Sequence, residues 1–315
     1  MLALSIAVAV LISSLFLRIT EKARAISVER PENEPEPPSR APESLRVVTY
    51  NLSHGRGSGA ETQSGGRADA AVIRDRLERV GEQFGTMGLD LIALQGVDFE
   101  SWRSGGMDQA AVVAAAAGFP YVVRQRNMDK GIPFFRRVAH GNALLSRFPI
   151  LEAKRVEFPP FSNWEKARAG NPDGLLATVR IGADRDVRVL VTALDARSEE
   201  IRVRAAGEIV SLQRSSRLPM LVMGTLNSTP PGFPMSETTS SGQNAIELLE
   251  SFGGFQRRPA RGQATWHDFT HPVQGPRRII DWALPDRSWT VQQHQVLRDI
   301  QESEHFPVMG TFRLR

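Results

Sequence analysis

From Leu45 to the C-terminus, apolar residues recur with two periods, and the switches between them mark the elements. Ile73, Leu77, Val80 and Phe84 fall at spacings of four, three and four, so they share one face of a helix. The run from Leu89 to Leu94 then has the length and density of a buried strand. A second helix is predicted over Asp108 to Ala117, with Gly118 ending it. Ser198 opens a third: Glu199 and Glu200 lie in its first turn, and Ile201, Ala205, Ile209 and Leu212 form its buried stripe. Shorter apolar or alternating segments predict strands at 119–124, 141–145, 151–158, 174–181, 186–192, 218–223, 277–284, 288–297 and 307–314. The alternation predicts one mixed α/β domain over residues 45–315.

The amino end reads differently. Residues 1–17 carry no charge, and Arg18, Lys22 and Arg24 follow. An N-terminal helix apolar on every side has no partner to cover it, so residues 1–25 are expected to be a membrane anchor. The alternative is a signal peptide cut after Ala23-Arg24-Ala25 and an exported mature chain. Residues 26–44 are rich in Pro and Glu, which predicts an extended, solvated linker that contributes no core.

Composition narrows the picture only a little. A net charge of +4, with four lysines among 39 basic residues, gives no long basic run for a nucleic-acid groove. The absence of cysteine excludes a disulfide framework, a thiolate metal site and a Cys nucleophile.

Chemistry is suggested by short strings at strand ends. Leu45 to Asn51 is a strand closing on Asn, and Leu91 to Asp98 reads LIALQGVD. Gly141 to Ile150 reads GNALLSRFPI, Val191 to Asp195 reads VTALD, and Gly224 to Asn227 reads GTLN after the apolar run 219–223. Arg278 to Trp282 reads RIIDW, and Ser303 to Val308 reads SEHFPV. In this order the strings resemble the endonuclease/exonuclease/phosphatase superfamily, the fold of deoxyribonuclease I. The resemblance implies a two-sheet mixed α/β sandwich with outer helices in four layers, and a site at one rim between the sheets.

It also implies a phosphoester hydrolase with a divalent metal, Mg²⁺ or Mn²⁺, an aspartate base and two histidines. Three of those positions are replaced: Gly96 stands where the family has its metal-binding Glu, Ala193 where it has His, and Thr225 where it has Asp. Thr225 is too weak a base to activate water, and Gly96 offers no ligand. The surviving candidates are His305, Asp281 and Asn227 as catalytic residues, Asn51, Asn227 and His305 as substrate-binding residues, and Glu304 as a metal ligand.

Outside these strings, Asp98 and Asp195 lie two residues beyond the replaced positions, on the same strand face but about 6.5 Å along. His54 sits in a Ser/Gly-rich loop near Asn51, either as a solvated loop residue or at the rim. His267 and His271 have the spacing of a helical metal pair within a sequence that reads as loop; His140 and His294 read as structural or exposed.

The expected function is that of a membrane-associated, catalytically impaired phosphoesterase-fold protein. It would bind a phosphorylated small molecule, lipid or nucleic acid, or a protein partner, at the old cleft. The alternative is an active metal-dependent phosphodiesterase or phosphatase with a site rearranged around Glu304, Asp98 or Asp281.

Overall fold

The computed structural model describes residues 26–34, 38–58, 69–132, 136–164, 166, 170–260 and 265–315. The proposed anchor, residues 1–25, lies outside them. No helix among the described residues is long and apolar enough to cross a membrane.

Among the described residues, twelve strands form two sheets. The first has seven: β1 (Ile26–Glu29), β2 (Ser44–Asn51), β3 (Leu91–Asp98), β4 (Tyr121–Ile132), β5 (Arg136–Ser146), β11 (Trp289–Val296) and β12 (Val308–Leu314). Their order is β1-β4-β5-β3-β2-β12-β11. The second has β6 (Ile150–Val156), β7 (Gly174–Gly182), β8 (Arg185–Ala193), β9 (Met220–Thr225) and β10 (Asp281–Pro285), in the order β10-β9-β8-β7-β6. Facing residues such as Val47, Ala93, Leu144, Val189 and Met223 fill the space between the sheets.

Helices cover both outer faces. α1 (Ala70–Thr86) and α2 (Gln109–Ala117) bury Ile73, Leu77, Phe84 and Val113 against the first sheet. α3 (Glu199–Arg214) and α4 (Ala245–Gly253) bury Ile209, Ile246 and Leu249 against the second. Local chemistry sets their ends. The Asp108 side chain accepts from Ala111 N at the start of α2, and left-handed Gly118 ends it. Ser198 accepts from Ile201 N, and Asn244 caps α4 at both Ile246 N and Glu247 N.

Each sheet contains one parallel pair, β2 with β3 and β8 with β9. Parallel pairing brings carboxyl ends together, so Asn51 and Gln95 are register partners, as are Ala193 and Thr225. β10 runs antiparallel to β9 and sets Asp281 opposite Thr225. That topology gathers the chemistry at one rim.

The linker expectation needs correction at its start. Ile26–Glu29 pairs antiparallel with β4, and Ile26, Val28 and Ala41 pack against the sandwich core. Arg124 binds Glu29 at 2.7 Å, and Arg30 donates to the Ile150 carbonyl at 3.2 Å, tying this segment to both sheets.

Candidate active site

A chain of hydrogen bonds crosses the rim from one sheet to the other. Asn51, at the end of β2, accepts from Ser53 N at 3.0 Å and donates through Nδ2 to Thr225 Oγ1 at 3.0 Å. Thr225 donates its hydroxyl proton to Asp281 Oδ1 at 2.6 Å. The Asp281 carboxylate meets His305 Nδ1 at 2.9 and 3.1 Å. Burial pushes the Asp281 carboxyl up, but His305 and the Thr225 hydroxyl outweigh it and hold the group below the ordinary carboxylate range. An ionised Asp281 therefore orients His305 through Nδ1 and leaves Nε2 as the ring's working atom.

Thr225 is thus a link in the chain rather than a weak base. Its oxygen accepts from Asn51 and its proton is spent on Asp281, so it joins the two sheets beneath the cleft.

Gly96 is also more than a missing carboxylate. Register between β3 and β5 jumps from Leu94↔Ala143 to Val97↔Gly141, a bulge, and Gly96 inside it has φ +59°. A Cβ there would lie 2.6 Å from Asn51 Oδ1. The space of the absent side chain is taken by the Asn51 amide.

These residues floor and line a cleft of about 460 Å³. Asn51, Gly96, Ala193, Asn227 and Glu304 line it, whereas Thr225, Asp281 and His305 are buried beside them. Asn227 adopts φ +53° just after β9, and its Nδ2 donates to the Leu194 carbonyl at 2.8 Å. Asn127, Asn142 and Asn171 also line the cleft; no sequence signal marked Asn127 or Asn171, while Asn142 stood in the GNALLSRFPI string. The wall is rich in amides. Beside it, the His271 ring packs on His305 with centroids 4.5 Å apart. Burial first, and then the His305 charge, lowers His271 to about 4, so it is neutral at neutral pH.

The donors available to a divalent cation are few. Glu304 is on the cleft, but Asp281 is committed to Thr225 and His305. Asp195 Oδ1 accepts from Arg197 N and Ser198 N at 2.9 and 2.8 Å, closing the turn before α3. Both Asp98 oxygens bind Arg103, at 2.6 and 2.9 Å. Among the described residues no group of three His, Cys, Asp or Glu could hold a metal ion. This donor set does not fit the hard, carboxylate-rich coordination that Mg²⁺ or Mn²⁺ prefers.

The remaining histidines divide. His54 and His140 line the cleft, with rings edge-on at 5.3 Å. His267 stacks on Trp266 at 3.7 Å while His271 faces His305, so these two do not act as a helical pair. His140 joins the site because β5 pairs its position with Asp98 across the bulge, a register that sequence spacing does not reveal.

A model of the Endonuclease/Exonuclease/phosphatase family matches residues 48–305. Solved structures share the fold at low identity. One is an endonuclease/exonuclease/phosphatase from Beutenbergia cavernae (21% identity, 87% of this chain and 72% of that one, TM-score 0.58). Another is the human Nocturnin catalytic domain with a bound sulfate anion (15%, 93% and 98%, TM-score 0.58). A third is sphingomyelinase C from Streptomyces griseocarneus (17%, 85% and 99%, TM-score 0.54). No curated protein matches the chain significantly.

Proposed function

The chain belongs to the endonuclease/exonuclease/phosphatase family, and from that premise we propose that it is a membrane-tethered, catalytically impaired member whose cleft binds a phosphorylated ligand with little or no turnover. One observation carries the reading: Thr225, which stands where the resemblance puts the family's base, spends its hydroxyl proton on Asp281. A hydroxyl so engaged cannot take a proton from water, and a base in that place is worth roughly 10² to 10⁴ in rate.

Binding has more support than hydrolysis. His305 lies buried beside the cleft with Nδ1 on Asp281, and its protonated ring would donate from Nε2 to an oxyanion seated there; Asn51 and Asn227, on the cleft itself, offer their remaining amide capacity. The sulfate bound to the human Nocturnin domain fits the same preference for tetrahedral oxyanions. The tether rests on the uncharged run 1–17 followed by Arg18, Lys22 and Arg24.

The ligand class is tested by thermal shift of the full chain against inorganic phosphate, phosphomonoesters, phosphodiesters and phospholipid headgroups, in EDTA and in Mg²⁺. Stabilisation by at least one class that His305→Ala removes is the expected result. Indifference to all of them would overturn the binding reading.

A further inference from the structure

A second carboxylate–imidazole pair stands on the cleft wall built by β3 and the turn after β2. His54 Nδ1 lies 2.9 Å from Asp98 Oδ1. Asp98 is fully buried, and Arg103 donates to both of its oxygens. Burial pushes the Asp98 carboxyl up, yet His54 and Arg103 together hold it well below the ordinary range, so it is ionised. Arg103 Nη2 also lies 2.8 Å from His54 Nδ1, the third side of a triangle; Nδ1 has one in-plane site, so it either donates to Asp98 or accepts from Arg103, and both arrangements engage it inside the triangle. Nε2 is left as the ring's remaining polar atom, on a side chain 27% exposed that lines the cleft.

The turn that presents this ring is strained and clamped. Ser53 and His54 have φ of +46° and +62°, a region that side chains other than glycine rarely adopt. A single buried residue, Gln109, holds both halves of the pair, accepting from Asp98 N at 2.9 Å and donating to the His54 carbonyl at 2.8 Å. A solvated loop histidine needs neither a buried carboxylate nor such a clamp. His140 packs edge-on against the ring, and Arg56 lines the same cleft with no side-chain partner among the described residues.

We propose that His54 is an anion-contacting residue of this cleft: its Nε2, fixed through Nδ1 by Asp98, binds a phosphoryl oxygen from the loop wall, and Arg56 adds positive charge at the mouth. This replaces, from another element, the imidazole that Ala193 no longer supplies. The proposal rests on the cleft being a phosphoryl site.

Phosphate binding by the full chain tests it, with inorganic phosphate as the probe and affinity followed by calorimetry. Loss of one charge-assisted hydrogen bond weakens affinity about tenfold or more, and that is expected for His54→Ala. A second readout is free of any folding defect: on the wild-type chain, phosphate should shift the His54 Nε2 nitrogen resonance. Asp98→Asn should weaken binding less than His54→Ala, because the ring remains but loses its orienting charge. Phosphate binding by the wild type that His305→Ala abolishes, while His54→Ala leaves it unchanged and the His54 resonance does not move, would overturn this role and leave the cleft reading standing. No phosphate binding by the wild type would overturn both.

Discussion

A Cβ on Gly96 would crowd Asn51 Oδ1 at 2.6 Å from a backbone already at φ +59°, so this position resists every side chain, the family's glutamate included. Gly96→Ala should lower unfolding free energy by about 1–3 kcal/mol in urea titrations. Gly96→Glu should cost at least as much and give no metal-dependent activity alone. Thr225→Val would deprive Asp281 of a donor and Asn51 Nδ2 of its acceptor, a loss of about 1–3 kcal/mol by the same measurement, whereas Thr225→Ser should keep most of it. Asn51, Asn227, Asp281, Glu304 and His305 were legible in the sequence because each sits beside a strand end whose flanking string is distinctive. The positive φ of Gly96 was not, since a bulge is defined by the partner strand and leaves no local mark. His54 was ambiguous for a related reason: what distinguishes it from a solvated loop histidine is Asp98, 44 positions away.

Among elements, the strands β2 to β12 and the helices α1 to α3 were readable, and β1 and α4 were not. α1, α2 and α3 carry a stripe or a capping residue in a recognisable pattern, whereas α4, of the same nine residues as α2, rests on an Asn244 cap with no such pattern around it. β1 has only four residues within Pro- and Glu-rich surroundings, where composition argues for solvated chain. Its place is set by pairing with β4 and by the contacts of Glu29 and Arg30 with β4 and β6. A chain beginning at Ile26 should therefore melt at the temperature of the full-length domain. One beginning at Glu43 should melt lower, by about 2–4 °C for each kcal/mol of lost pairing. Equal melting temperatures for the two truncations would show that β1 contributes nothing.

For the molecule as a whole, pH dependence follows from the buried site. The folded value for His271, about 4, lies below its ordinary 6.5. The unfolded chain therefore binds the extra proton first, and this contribution to stability is complete above pH 6.5 and is lost as pH falls towards 4. Asp281 and Asp98, both held below the ordinary range, extend the loss to lower pH. Calorimetric melting temperatures should drop across that window, and His271→Gln should flatten the drop between pH 6.5 and 4. At the same scale, the full-length chain should sediment with membranes; its recovery in the soluble fraction with an N-terminus at Ile26 would show cleavage instead. The central claim, a family fold that has given up efficient hydrolysis, is met most directly by steady-state turnover of the intact chain on generic phosphodiesters and phosphomonoesters with Mg²⁺ or Mn²⁺. Turnover about a thousandfold or more below that of an ordinary family hydrolase, and indifferent to EDTA, is the result predicted from the loss of the base and the metal ligand. Ordinary turnover that EDTA abolishes, and that Glu304→Gln or His305→Ala also removes, would contradict it.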